Sequence, residues 1–188
     1  MTKKILMLVL LLAPMSLFAQ KFAHFSYADV MQSLPDYRKA NEELQTIYKQ
    51  YEKDLTDMQN ELKTKYEKYQ KEVNESTPPQ VVERKQQEIN DLQQRLQQAD
   101  EANTKAFQEE QQKKMQPIIQ RIINTVKEVA KEGGYVYLLD VASSQNAGVF
   151  INESISEDVT KKIMNKLGIT EADIAAGKAA AAAAQGNQ

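Results

Sequence analysis

From Asp36 to Gln116, apolar residues return along the chain at alternating intervals of three and four. In the first half of this stretch they fall at Tyr37, Ala40, Leu44, Ile47/Tyr48, Tyr51, Leu55, Met58, Leu62, Tyr66, Tyr69 and Val73. That spacing holds one stripe on one helix face and predicts a long amphipathic helix with a coiled-coil seam. The step Met58–Leu62–Tyr66 has two intervals of four, a stutter that relaxes left-handed supercoiling locally. A thinner seam resumes at Val82, Ile89, Leu92, Leu96, Ala99 and Ala106. Between the halves stands Ser76-Thr77-Pro78-Pro79. Consecutive prolines lack N–H donors, and the first biases Thr77 away from helical backbone angles. The chain is therefore expected to turn back at 76–79, giving an antiparallel coiled-coil hairpin over 36–116. At 1.5 Å per residue the first arm is roughly 60 Å long, too long and thin for a globular core.

The flanks have a different texture. Lys21 to Tyr27 (KFAHFSY) is short and aromatic-rich and reads as a strand. Ala28 to Leu34 fits two helical turns stopped by Pro35. Pro117 is expected to interrupt or kink the second arm near its base. Beyond it, Ile118, Ile119, Ile122, Ile123, Val126, Val129 and Ala130 form a broad apolar face suited to a packed body. Gly133-Gly134 ends that helix. Tyr135 to Val141 (YVYLLDV) is the strongest strand pattern, and Val149-Phe150-Ile151 a second, short one after a turn at Asn146-Ala147-Gly148. Ser156 is a candidate N-cap for a helix through Val159, Ile163, Met164 and Leu167. The alanine-rich tail, 171–188, has no amphipathic pattern and is expected to be without structure.

The fold class is thus α+β and predominantly helical. The hairpin arm would stand on a small α/β body built from 20–35 and 117–170. Three short strands and two helix segments bury little, so such bodies are expected to pool strands and helix faces in an oligomer. The candidate oligomerisation residues are Phe22, Phe25, Ile122, Val126, Val136, Leu138, Phe150 and Ile151.

Charge and composition narrow the function. Lys3 and Lys4, the apolar run Ile5–Leu12 and the small residue Ala19 make a secretory signal peptide, with cleavage expected at Ala19/Gln20. The run is too short for a membrane anchor, and no other segment approaches a span. Without Lys3 and Lys4, 22 basic residues face 26 acidic ones, a net charge of −4. No basic stripe suggests nucleic acid. With no cysteine, stability must come from helix packing and oligomerisation rather than disulfides. Within the arms, Glu61–Lys65, Glu67–Lys71, Asp91–Arg95, Glu101–Lys105, Glu109–Lys113 and Glu110–Lys114 are acid-before-base pairs four apart, each contributing ~0.2–0.5 kcal/mol. Eleven glutamines from Gln80 to Gln116 leave the second arm only a narrow stripe to bury.

Nothing in the sequence points to catalysis or to a cofactor. His24 is the one histidine, read as a structural or surface residue, and no His, Cys and carboxylate set has metal-ligand spacing. Asp140 reads as a turn-forming aspartate. The tyrosines carry more information. Tyr48, Tyr51, Tyr66 and Tyr69, with Met58, are the candidate client-binding residues. Their rings fill the seam while hydroxyls reach water, and such side chains contact many sequences without demanding one.

The order of parts resembles the Skp/OmpH family of periplasmic chaperones. Lys21-Phe22-Ala23-His24-Phe25-Ser26-Tyr27-Ala28-Asp29-Val30-Met31-Gln32-Ser33-Leu34-Pro35-Asp36-Tyr37 is similar to the family's opening strand and the start of its first long helix. Ile118 to Ala130, Tyr135 to Asp140, and Glu157-Asp158-Val159-Thr160 with Leu167 follow its closing pattern. The arms match in type and length rather than residue by residue. The resemblance implies a homotrimer with a β-barrel-like body, whose arms enclose a cavity for unfolded outer-membrane proteins, acting without ATP as a holdase. It implies a periplasmic location, no nucleic-acid partner and no stable membrane insertion. Well-known members are strongly basic, whereas Asp36 to Gln116 holds 14 basic and 17 acidic residues here. No lipopolysaccharide site is therefore carried over, and long-range electrostatic capture is expected to be weaker. The competing reading is a structural or adaptor protein of the envelope whose hairpin docks one defined partner.

Overall fold

A computed structural model describes residues 21–185. The expected signal peptide lies outside the described residues. The described chain is mostly helical with one small sheet, and it divides into two compact units. One is the described part of Met1–Pro35 together with Ile119–Gln188; the other is Asp36–Ile118.

The first unit is arranged around its N-terminal strand. Strands β1 (Lys21–Phe25), β2 (Tyr135–Asp140) and β3 (Glu157–Asp158) form a three-stranded sheet in the order β2-β1-β3, with both pairings parallel. Phe25 lies opposite Asp140, and His24 opposite Asp158. Parallel neighbours need a long crossover, and the crossover from β1 to β2 contains the whole second unit. Helix α1 (Tyr27–Ser33) follows β1, capped by the Ser26 hydroxyl, which accepts from the Asp29 N–H at 3.2 Å. The C-terminal part of α3 (Pro79–Gly133), α4 (Val141–Asn146), α5 (Thr160–Lys166) and α6 (Glu171–Gln185) complete the unit. Phe25, Val30, Leu34, Ile122, Val129, Val159, Ile163 and Leu167 are among its buried apolar residues.

Polar side chains lock the junction between β1 and α1 from both sides. Asp140 is the N-cap of α4 and accepts from the Ser143 N–H with one oxygen and from the Tyr27 N–H with the other, each at 2.9 Å. The Ser26 N–H donates to the Thr160 hydroxyl at 3.0 Å. Burial pulls the Asp140 carboxyl up, but hydrogen bonds from Ser143, Tyr27 and Ala142 outweigh it and hold the carboxyl below the usual carboxylate range. The aspartate expected only to turn the chain is therefore a bridge between two elements. At the far end of α5, Gly168 takes φ 78°, its N–H bonds the Asn165 carbonyl and the Ile169 N–H bonds the Met164 carbonyl, each at 3.0 Å. This paired reverse bonding needs a left-handed residue, which glycine supplies without steric cost. Lys166 pairs with Glu128 at 3.2 Å and with Glu132, and the Arg121 guanidinium donates to the Leu167 carbonyl at 2.9 Å, fixing α5 to α3.

Three expectations for this unit are corrected. The third strand is Glu157–Asp158, not Val149–Ile151. The Asn152 side chain accepts from the Ser154 N–H and hydroxyl, and its carbonyl from Ile155 and Ser156, so the chain turns directly after Ile151. Ser156 does not cap α5. Its hydroxyl faces Nδ1 of the buried His24 at 3.0 Å, while Asp158 accepts from the Thr160 N–H. The alanine-rich segment is helix α6, not a structureless tail. It begins with a reciprocal cap between Thr170 and Asp173 and packs on α1 so closely that Gly177 adjoins the Gln32 backbone.

The second unit consists of α2 (Pro35–Glu72, 38 residues) and most of α3, itself 55 residues long. The break lies where the prolines put it. Asn74 and Thr77 close the turn, the Thr77 N–H bonding the Asn74 carbonyl at 2.9 Å, and Pro79 starts α3, where a missing N–H costs nothing. Helix α3 runs on through Pro117 rather than stopping there, forgoing the bond that residue would have donated. The helices run in opposite directions. Glu72 pairs with Lys85 at 2.5 Å beside the turn, Lys65 with Glu88 at 2.9 Å, and Glu43 with Lys114 at 2.6 Å far from it. Two lysines expected to pair within a helix, Lys65 with Glu61 and Lys114 with Glu110, thus bond across instead.

The seam differs from the expected one at an instructive place. Lys65, not Tyr66, is the half-buried member; its stem lies in the seam and its ammonium reaches Glu88, while Tyr66 is 50% exposed. With Lys65 in place the Met58–Leu62 step returns to three-four spacing. The double interval of four falls instead at Ile47–Tyr51–Leu55, where all three are only half-buried. The fully buried apolar residues of this unit are Ala40, Leu44 and Ile118 at one end and Ile89 and Leu92 toward the turn.

Three measurements test this description. Lys65→Glu is expected to lower the melting temperature, and adding Glu88→Lys to restore part of it; additive effects would refute the register. Asp140→Ala should cost about 1–2 kcal/mol at neutral pH. Because the folded-state carboxyl titrates below the unfolded one, this stabilisation is present above the unfolded value and lost as pH falls through the folded value. The gap to wild type should therefore narrow in strong acid, and an equal gap at both pH values would count against it. At Gly177 an added Cβ would lie 2.6 Å from the Gln32 carbonyl oxygen. Gly177→Ala should therefore lower stability, even though alanine in a helix is otherwise favoured by about 1 kcal/mol. A stabilised variant would mean that α6 does not dock.

Candidate functional site

What the second unit offers is surface. Of the five candidate residues on α2, two come together. Tyr48, 53% exposed, meets Phe107 of α3 edge to face, with ring centres 5.8 Å apart and planes at 67°. One turn on, Tyr51 and Leu55 face Asn103 and Thr104, and these residues with Gln108 border a cleft of about 470 Å³. Met58, Tyr66 and Tyr69 lie outside it, Met58 and Tyr69 half-buried and Tyr66 exposed.

The cleft has a local cause. Across from Tyr51 and Leu55 the α3 stripe offers Ala99 and Asn103, one small and one polar. Aromatic and aliphatic groups therefore face a partner that cannot fill the space. The double interval of four on α2 shifts the stripe at the same point. Glu52 and Asp100 stand at the rim, and no basic residue borders it. Phe107 was absent from the expected set. The available signal was that it is the one aromatic residue between Gln80 and Gln116, beside the seam position Ala106.

In the first unit the oligomerisation candidates divide. Phe25 and Ile122 are buried within the unit itself, and Val126, Leu138 and Ile151 are half-buried. Phe22 lies stacked on Tyr137 with ring centres 6.1 Å apart, yet remains 39% exposed. Val136 and Phe150 are open to solvent, Phe150 at 90%. Ile155, which the sequence did not single out, is 75% exposed. Strand β2 lies at one margin of the sheet, paired on one side only among the described strands. Tyr135 at its start is held near Glu157 and under the Lys162 ammonium, and burial, then the bond to Glu157, pushes its hydroxyl up to about 12.

A second cleft, of about 400 Å³ and in this unit, is of mixed character, bordered by His24, Ser26, Asp29, Asp158, Thr160 and Lys178 and by Val141, Met164 and Ile174. His24 bonds Ser156 there, and Asp158 is committed to Thr160. Among the described residues no group of three or more His, Cys, Asp or Glu side chains converges to hold a metal ion. Among them, too, no helix is long and apolar enough to cross a membrane.

The fold has known counterparts. A candidate outer membrane chaperone (OmpH-like) from Caulobacter crescentus matches with a TM-score of 0.64 at 17% identity, over 80% of this chain and 85% of that one. No curated protein matches the sequence. The family model described as outer membrane protein (OmpH-like) matches residues 21–167, from the first strand to the end of α5. The chain belongs to the OmpH-like family.

Proposed function

We propose that this protein is an ATP-independent holdase chaperone of the periplasm that keeps unfolded outer-membrane β-barrel proteins from aggregating. The observation that carries this reading is the open middle of the helix pair, where Tyr48, Tyr51, Leu55 and Phe107 are paired but not closed over. A helix pair built only as a strut would bury those rings. In this reading α2 and α3 form an antiparallel coiled-coil arm whose apolar side chains stay hydrated enough to exchange clients. Many weak contacts, multiplied over several arms, then replace a pocket.

The bodies associate as a homotrimer. Support for this comes from Phe150, Ile155, Val136 and Tyr137, four large apolar or aromatic side chains that this unit leaves exposed. It comes also from β2, whose second side is free for another strand among the described residues. The three bodies would close a small β-barrel-like core, and the three arms a cavity. A signal peptide cleaved near Ala19/Gln20 would deliver the chain to the periplasm. The body spans 20–35 and 117–170, with α6 as an added brace.

The deciding measurement is the native mass of the mature protein, alone and mixed with a urea-diluted outer-membrane barrel protein. A trimer that takes up the barrel and keeps it soluble is the expected result. A trimer that lets the barrel aggregate would replace the holdase by an adaptor docking one folded partner, and a folded monomer would remove the cavity. Phe150→Ser should weaken the trimer without unfolding the protomer, since so exposed a ring adds little to the protomer's own core.

A further inference from the structure

The cleft at the middle of the helix pair has a chemistry of its own. Its floor is Tyr51, Leu55 and Phe107, and its rim carries the carboxylates of Glu52 and Asp100 with no cation among them. Among the described residues neither carboxylate is in an ion pair with a lysine or arginine. Lys53 is bound to Asp57 at 2.9 Å and Lys105 leans toward Glu109 at 4.0 Å. The sides add Asn103, Thr104 and Gln108, whose amides and hydroxyl can both donate and accept. An unfolded segment presents what such a place lacks: a large apolar side chain, unpaired backbone N–H and C=O groups, and sometimes a positive charge alongside.

We infer that this cleft is a discrete subsite that takes one aromatic or large aliphatic side chain of an unfolded polypeptide and favours segments in which lysine or arginine flanks it. The inference rests on the holdase reading and adds a selectivity to it. Charge complementarity sets the sign. Two rim carboxylates attract a flanking cation and repel a flanking carboxylate, while the apolar floor holds the anchor in either case. Each rim contact is solvent-exposed and weak, so together they bias choice among segments rather than fix one sequence. The polar sides bond backbone that every polypeptide has, which keeps the subsite tolerant of the rest of the segment.

The test uses the full mature chain and three short fluorescent Gly/Ser peptides, each with one tryptophan flanked by lysines, by glutamates or by serines. Binding is read by anisotropy at low and at high salt. The lysine-flanked peptide should bind roughly fivefold more tightly than the glutamate-flanked one at low salt, and the gap should shrink as salt rises. Glu52→Gln with Asp100→Asn should abolish the preference while leaving serine-peptide binding near its original value. Phe107→Ala, checked for unchanged helicity, should weaken all three peptides. Equal binding of lysine and glutamate peptides, or a preference that survives the double substitution, would overturn the subsite. The barrel-aggregation assay runs in parallel and separates the two levels. If the barrel is held but the peptides show no charge preference, the subsite fails and the holdase reading stands. If the peptides behave as stated but the barrel aggregates, the subsite stands and the holdase reading falls.

Discussion

The parallel pairing of β1 with β2 is the constraint on which the rest of the chain depends. It joins Lys21–Phe25 to Tyr135–Asp140, so everything between them must leave one strand end and return to the start of its neighbour. Closing so long a segment as an open loop would cost roughly 4 kcal/mol in its length-dependent part alone. The helix pair removes most of that cost. Its ion pairs nest outward from the turn, and with Glu43 and Lys114 at 2.6 Å only short connections remain to be closed. What then secures β1 is polar. Asp140 holds the Tyr27 N–H, Thr160 holds the Ser26 N–H, and the Val159 N–H reaches the His24 carbonyl at 2.9 Å. The partners stand at the N-termini of two helices, Asp140 as the N-cap of α4 and Val159 and Thr160 as the N-cap and first residue of α5. The N-terminal strand is thereby the common reference for α4 and α5, and a sheet with a two-residue third strand can be well defined despite its size.

Stability and openness oppose one another along the helix pair. Full burial is confined to Ala40, Leu44, Ile89, Leu92 and Ile118. Between those anchors the stripe relies on half-buried rings and on ion pairs, and exposed ion pairs are individually weak. A leucine at Lys65 or at Asn103 would give a tighter seam. It would also take from the surface the side chains that an unfolded client could touch. Lys65 shows how the compromise is made: its methylenes continue the stripe while its ammonium ties α2 to α3 through Glu88, giving register without a closed apolar core.

Much of this was legible in the sequence, and what was not has identifiable causes. Helix ends at Pro35, Pro78–Pro79 and Gly133–Gly134 follow from backbone chemistry that neighbours cannot override, and they fall where expected. Strand β2 was equally plain, a run of β-branched and aromatic residues after a glycine stop. Helix α6 was not, because its burial comes from Gly177 lying against the Gln32 backbone rather than from any apolar stripe. Strand β3 was hidden for a related reason: Glu157 and Asp158 are strand only because β1 has a free side to offer them. At the cleft, Tyr48 and Tyr51 could be picked out by residue type. Phe107 could not be matched to them without knowing which residues of two distant segments come opposite one another. Lys65 was passed over because a search for apolar positions does not credit a lysine stem.

The exposed apolar groups of the two units differ in kind, and the difference bears on what each is for. Phe150 and Ile155 carry no polar atom on the side chain, and at 90% and 75% exposure they leave hydrocarbon in water with nothing to offset it. Covering such groups gains more per side chain than covering a tyrosine whose hydroxyl must stay wet, which would suit the lasting contact between copies proposed above. Tyr48 and Tyr66 are exposed to about half that degree or a little more, at 53% and 50%, and each ends in a hydroxyl that water can satisfy. Leaving them open costs little, so a partner gains little by covering any one of them. A holdase needs that balance, because a client held by a few strong contacts could not be released without an energy source, whereas one held by many marginal contacts leaves when a membrane or an insertion machinery offers better ones. Under the proposed function, the bare hydrocarbon of Phe150 and Ile155 would suit a lasting contact, and the hydroxyl-bearing rings of Tyr48 and Tyr66 one that has to be undone.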